Sequence, residues 1–311
     1  MPLAGFVAAR LGWLAPALPQ ARPKGRCKGA AVVATFRAAM TADHQYLSVD
    51  YRPCTLEHRY GPSVHILRDP LALSLLAKLC HRDVVQPEVS RLIVELYRML
   101  VHEVAAAEFP RQRICVPTRM IQYVKEGVYD GEVISQTTPA VVVALARAGL
   151  LPSQVSYDFL NQVLSPAGVR QDHLALGRTL DGDGRVTGAG LYASKIGGPV
   201  DGAMMLIPDP MGATGSTVSR VLHHYQQEVA GKPAKVIAVH LIVTPEYLWH
   251  VTRNHPEVLV YALRLDRGLS DPAVLQTVPG TFWERERGLT DHQYIVPGGG
   301  GLGEVLNNSF V

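Results

Sequence analysis

Four stretches in the second half of the chain are apolar almost throughout: Ala140–Leu145, Ala203–Ile207, Lys235–Val243 and Val258–Ala262. A strand with one wet face alternates apolar and polar residues, so unbroken runs of this length predict strands buried on both faces. Between them Pro152–Leu164 and Gly215–Ala230 read as helices. Thr244-Pro245-Glu246 opens another, with a hydroxyl N-cap followed by proline at the first helical position. Strands alternating with helices predict right-handed βαβ units and an α/β fold with a mostly parallel sheet flanked by helices. Upstream, Val89, Leu92, Ile93, Leu96, Leu100 and Val104 share one face at helical period, which predicts a long helix with Pro87 in its first turn. Arg113–Pro117 follows as a short strand, and no internal repeat is found.

Composition excludes several classes. Apolar residues make up 47% and charged residues 18%, which is incompatible with a disordered chain. No uncharged apolar run approaches the ~18 residues that a spanning helix needs, so no membrane partner is expected. Cys27, Cys54, Cys80 and Cys115 lie far apart with no CxxC pair. They read as free thiols in a reducing, cytoplasmic compartment and not as a disulfide framework or zinc ribbon. The net charge of +3 belongs to residues 1–39, which carry Arg10, Arg22, Lys24, Arg26, Lys28 and Arg37 and no acid. That stretch is expected to be a basic disordered leader, or to precede a true start at Met40. Residues 40–311 are expected to form a single domain. With 24 basic against 27 acidic residues, they do not have the charge of a nucleic-acid binder.

Ligands of open parallel sheets bind in the loops beyond the carboxyl ends of the strands. Three such loops are unusual. Asp209-Pro-Met-Gly-Ala-Thr-Gly-Ser-Thr217 leaves a buried strand with an acid and enters a helix through small and hydroxyl residues. Backbone N–H groups at such a helix start can cradle phosphate, although a plain N-capped turn would share much of this composition. The GxxxxGK pattern is absent, which disfavours a nucleoside kinase. Arg147-Ala148-Gly149 follows the first buried strand and could clamp a pyrophosphate, or be a surface arginine beside a turn glycine. Tyr294-Ile-Val-Pro-Gly-Gly-Gly-Gly-Leu-Gly303 spends backbone entropy on four consecutive glycines, which a ligand touching the backbone would justify.

Together these loops resemble those of the uracil phosphoribosyltransferases. The first resembles that family's Asp-Pro-Met loop for 5-phosphoribosyl 1-diphosphate (PRPP), the second its pyrophosphate loop, and Tyr294–Gly298 the start of its uracil loop. Asp69-Pro-Leu71 resembles a His-Pro-Leu run with Asp in place of His, and Tyr192-Ala-Ser-Lys-Ile196 a Tyr-x-x-Lys-Leu run. Arg178 sits where the family has an arginine before its flexible arm. The resemblance covers roughly residues 66–311. It implies a type I phosphoribosyltransferase fold with a hood over the strand ends. The implied reaction is uracil plus PRPP giving UMP and pyrophosphate in pyrimidine salvage, with Mg²⁺ bound through PRPP. Arg147 and Asp209 are the implied catalytic residues. Arg147, Ala148, Gly149, Arg178, Lys195, Asp209, Ala213, Thr214, Gly215, Ser216 and Thr217 are the implied PRPP site. Tyr294, Ile295, Gly300 and Gly301 are the implied uracil site, and a homo-oligomer is the implied assembly.

The chain also departs from the pattern. The family's Gly-x-Gly-Asp-x-Gly-Asp reads Gly298-Gly-Gly-Gly-Leu-Gly-Glu304 here, so the first acid is Gly301 and the second is Glu304. That leaves open an impaired PRPP- or UMP-binding protein, or a transferase for another base. Pro208 removes an N–H donor at the strand end. Residues of about 270–289 form an insertion containing Trp283-Glu-Arg-Glu-Arg287. It could be a hood arm, a dimer contact or a solvated excursion. His223-His224, His240, Cys80, Cys115, Tyr247 and Trp249 read as surface or packing residues, with no metal site expected.

Overall fold

The computed structural model describes residues 43–180 and 186–309, and of residues 178–180 and 186–189 the backbone alone. The expected leader, residues 1–39, lies outside the described residues. In chain order come β1 (Val64–Ile66), α1 (Pro70–Leu79), α2 (Glu88–Glu108), β2 (Arg111–Pro117), β3 (Val128–Ile134), β4 (Ala140–Ala146) and α3 (Leu150–Val163). There follow β5 (Val169–Leu180), β6 (Val186–Lys195), β7 (Met204–Pro208), β8 (Met211–Gly212) and α4 (Ser216–Glu228). β9 (Lys235–Val243), α5 (Pro245–Asn254), β10 (Val258–Leu265), α6 (Pro272–Leu275) and α7 (Leu302–Asn307) complete the chain.

The four apolar runs become β4, β7, β9 and β10, the middle of a sheet ordered β1-β10-β9-β7-β4-β5-β6. Pairing is parallel except between β5 and β6, and the short β8 extends the sheet against β9. Burial on both faces explains the composition of these strands. Leu76, Leu92, Leu96 and Leu160 of α1–α3 pack on one face. Val218, Val221, Leu248 and Val251 of α4 and α5 pack on the other. The chain leaves β4 through α3 toward β5, and leaves β7 through α4 toward β9, so two adjacent strands send their crossovers in opposite directions. A crevice opens at the carboxyl ends of such strands, and it is where parallel sheets place their ligands.

Local expectations hold with small shifts. Thr244 caps α5 by accepting from the Tyr247 N–H at 3.0 Å. Asp69 caps α1 in the same way, through Leu71 at 2.8 Å and Ala72 at 3.2 Å, with Pro70 at the first turn. Pro87 stands just before α2 and not within its first turn. Arg113–Pro117 is part of β2, which pairs only with β3 as a separate two-stranded ribbon. Cys80 and Cys115 are half-buried; Cys80 packs against the core as its reading as a packing residue expects, whereas Cys115 lies on the β2–β3 ribbon outside it.

Residues 270–289 are pinned to the body. Trp283 meets Tyr60 and Trp249 edge-on, with ring centroids at 4.8 and 5.2 Å, and donates to the Pro245 carbonyl at 3.0 Å. Glu286 is buried, paired with Arg267 at 2.8 Å and bonded by the Tyr60 hydroxyl. Glu246 of α5 accepts from the N–H groups of Gly288 and Leu289. No described helix is long and apolar enough to cross a membrane.

Candidate active site

A cleft of about 520 Å³ lies over the carboxyl ends of β4 and β7. Three loops wall it.

The first continues β4. Gly149 turns the chain into α3 with its N–H on the Leu145 carbonyl at 2.9 Å. A Cβ there would stand 2.8 Å from the Pro208 carbonyl oxygen, so only glycine lets this loop lie against the end of β7. Arg147 is exposed, and its Nη1 donates to Ser309 Oγ at 3.0 Å. The Ala146–Arg147 peptide is cis.

The second loop runs from Asp209 to Thr217. Asp209 continues the sheet, its N–H on the Val239 carbonyl at 3.0 Å, so Pro208 does not end the ladder. The carboxyl receives one long hydrogen bond, from the Met211 N–H at 3.5 Å. Enclosure by the cleft walls raises its pKa to about 6. His240 lies beneath, with Nδ1 2.6 Å from the Asp209 carbonyl and Nε2 2.6 Å from the Tyr247 hydroxyl. Burial lowers the pKa of His240 to about 4. The ring is therefore neutral, donates from Nδ1 to the carbonyl and accepts from Tyr247. His240 is the satisfied core histidine that its strand suggested, yet it forms part of the cleft floor.

Beyond Asp209, Gly215 adopts φ +82° and α4 begins without a side-chain cap. The first N–H groups of a helix have no intrahelical partner, so this end offers donors to an anion. Thr214, Ser216 and Thr217 add hydroxyls to the same wall, the first two 2.9 Å apart. Thr244 fixes the loop from behind, donating to the Ala213 carbonyl at 2.6 Å.

The third loop is the glycine run. Arg264 pairs with Asp266 at 2.6 and 2.8 Å and donates to the Gly298 carbonyl at 2.9 Å. Asp266 is buried and accepts the Gly298 N–H at 2.7 Å, so this one half-buried ion pair holds both polar groups of Gly298. Gly298 and Gly300 both have positive φ, which accounts for glycine at these two positions. Gly299 packs on Cys80, and α7 follows.

Arg147, Ala148, Gly149, Asp209, Ala213–Thr217, Tyr294, Ile295, Gly300 and Gly301 all line this one cleft, though they come from three distant segments. Lys195 does not line it. It is exposed on edge strand β6, paired with His173 below the strand ends. Arg178 is on β5, and its side chain lies outside the described residues. The sequence reading had Glu304 only as the second acid of the glycine loop, and it missed Leu176 and Gly177 on the lining and the Arg264–Asp266 support. The last had a signal: opposite charges two apart share a face of a strand.

An acid-headed hydroxyl loop entering an uncapped helix, beside an Arg-Ala-Gly turn at the switch point of a parallel sheet, defines a type I phosphoribosyltransferase. The uracil phosphoribosyltransferase family profile matches residues 66–285. The chain belongs to the uracil phosphoribosyltransferase family. The uracil phosphoribosyltransferase of Variovorax paradoxus is 26% identical over 245 residues, covering 78% of this chain and 97% of that protein. That of Dictyoglomus thermophilum is 27% identical over 243 residues, covering 78% and 98%. Among solved structures, the AQ2163 protein from Aquifex aeolicus shares the fold. Its TM-score is 0.58 at 24% identity, covering 78% of this chain and 97% of that one.

Proposed function

We propose that the cleft transfers the phosphoribosyl group of PRPP to uracil, giving UMP and pyrophosphate in pyrimidine salvage. The observation that carries this reading is the convergence of three loops of different chemistry on one crevice. The uncapped start of α4, with the hydroxyls of Thr214, Ser216 and Thr217, takes the 5′-phosphate. Asp209 accepts from the ribose hydroxyls. Arg147 and the amides of Ala148 and Gly149 hold the diphosphate. With both ends of the sugar fixed, the anomeric carbon passes through a cation-like state beside the base.

The base is read by backbone groups of residues 295–300. A backbone N–H facing O4 accepts uracil and leaves the amino group of cytosine without a partner, so discrimination needs no side chain. Mg²⁺ enters with PRPP. Asp209 offers an oxygen donor in the cleft. Such a setting suits an ion carried on diphosphate oxygens and water. When bound, Mg²⁺ neutralises charge developing on the leaving group. A cytoplasmic setting accords with free Cys54, Cys80 and Cys115.

The test is incubation of the full chain with labelled uracil, PRPP and Mg²⁺. UMP formation with uracil and none with cytosine is the expected result. PRPP binding without UMP would overturn the transferase reading.

A further inference from the structure

The acid missing at position 301 has a physical counterpart in the cleft. Gly301 has φ −78° and ψ 76°, which any L-residue adopts, so its backbone does not call for glycine. The space above it is occupied by one neighbouring side chain. A Cβ on residue 301 would collide with Glu304 Oε2 and lie 3.0 Å from Glu304 Cδ. The Glu304 carboxylate thus fills the volume that a side chain at 301 would enter.

Glu304 is half-buried, lines the cleft and makes no side-chain hydrogen bond or ion pair among the described residues. Its neighbour Gly303 lies against Ala148, with a Cβ position 3.4 Å from the alanine methyl. The Glu304 N–H bonds to the Gly301 carbonyl at 2.9 Å. The backbone that carries this carboxylate is therefore bonded to the glycine loop at residue 304 and lies against the Arg147–Gly149 loop at residue 303. Asp209, the other acid on the lining, sits across the cleft at the end of β7.

Resting on the phosphoribosyl-transfer reading, we infer that Glu304 is the base-side carboxylate of this site, accepting the N1–H proton of uracil as N1 attacks. The N1–C1′ bond forms, the C1′–O bond to diphosphate breaks with its electron pair leaving on pyrophosphate, and the proton passes through Glu304 to water. Gly301 is then the companion of Glu304: one volume holds one carboxylate, supplied from position 304.

The experiment uses four full-length variants, each checked by thermal melting, with uracil, PRPP and Mg²⁺. Glu304→Gln keeps the shape and is expected to lower kcat about 100-fold or more, with KM for PRPP within about 3-fold. Gly301→Asp alone is expected to be no faster than wild type, since the volume is taken. Combined with Glu304→Ala, Gly301→Asp is expected to exceed Glu304→Ala alone by at least about 10-fold. A purely structural role for Glu304 would give no such rescue. Wild-type turnover with Glu304→Gln within about 3-fold, or with no rescue, overturns this inference alone. Wild-type protein that forms no UMP overturns the transferase reading and this inference with it.

Discussion

Asp209 is placed where it costs stability, and the cost is measurable. Its carboxyl titrates at about 6 in the fold against 3.8 unperturbed, because burial disfavours the charged form and one 3.5 Å hydrogen bond compensates little. About two pKa units correspond to ~3 kcal/mol, and closer to ~2 once cleft water is allowed for. The folded state holds its proton longer than the unfolded state, so stability is complete below about pH 4 and falls as pH rises through about 6. Asp209→Asn has no proton to lose. It is expected to raise unfolding stability at pH 7.5 by about 2 kcal/mol, a melting gain of roughly 5 °C. At pH 5 the gain is expected to be about 1 kcal/mol smaller. Urea unfolding at the two pH values measures both. The same variant removes a charged acceptor for the ribose hydroxyls, each such bond worth ~1.5–3 kcal/mol, so kcat/KM for PRPP should fall about 100-fold or more. An Asp209→Asn protein that is less stable at pH 7.5, or whose gain does not depend on pH, refutes the burial argument. Unchanged kinetics refutes the sugar role.

Gly215→Ala forces a side chain into φ +82° with its Cβ 2.8 Å from His250 Cδ2 and 3.0 Å from Val251 Cγ2. Left-handed strain alone is ~1–2 kcal/mol, and relief tilts the start of α4, so KM for PRPP should rise about 10-fold; an unchanged KM would show that this helix end does not bind phosphate. Trp283→Ala removes a half-buried indole from Tyr60 and Trp249 and should cost about 2–3 kcal/mol by urea unfolding. Because Gly288 accepts from the Val296 N–H at 2.8 Å, KM for uracil should rise while KM for PRPP holds. Unchanged stability would make residues 270–289 a solvated excursion.

The central strands were legible because burial on both faces leaves nothing polar to obscure them. Lys235–Val243 was predicted to the residue, and the other three runs shift by one to three residues at their ends. β3 was not legible, since Val128–Ile134 contains Asp130 and Gly131, which strands disfavour, and its ribbon has few buried positions. The β5–β6 hairpin hid for a related reason: an edge hairpin mixes His173, Gly177 and Arg178 among its apolar residues. Within the site, the Arg147–Gly149 and Asp209–Thr217 loops were legible because their glycines and hydroxyls stand together in short local runs. Lys195 was assigned from a pentapeptide likeness, and five residues do not encode which edge of a sheet they will occupy. The Gly301–Glu304 relation was hidden because it exists only once α7 turns residue 304 back over residue 301.

That turn also links two subsites. The body of the protein is mildly acidic, so on the proposed phosphoribosyl transfer a polyphosphate would be held by a few aimed groups, and Arg147 is an exposed cation on the lining. Arg147 is held by Ser309, beyond the end of α7, while Gly303 at its start rests on Ala148. The preceding Gly298 is fixed by Arg264 and Asp266. One short segment therefore touches the glycine loop at one end and the Arg147–Gly149 loop at the other. A lost acid at 301 and a longer acid at 304 fit this arrangement. A carboxylate on α7 is carried by the segment that spans both loops, whereas a side chain at 301 would follow the glycine loop alone.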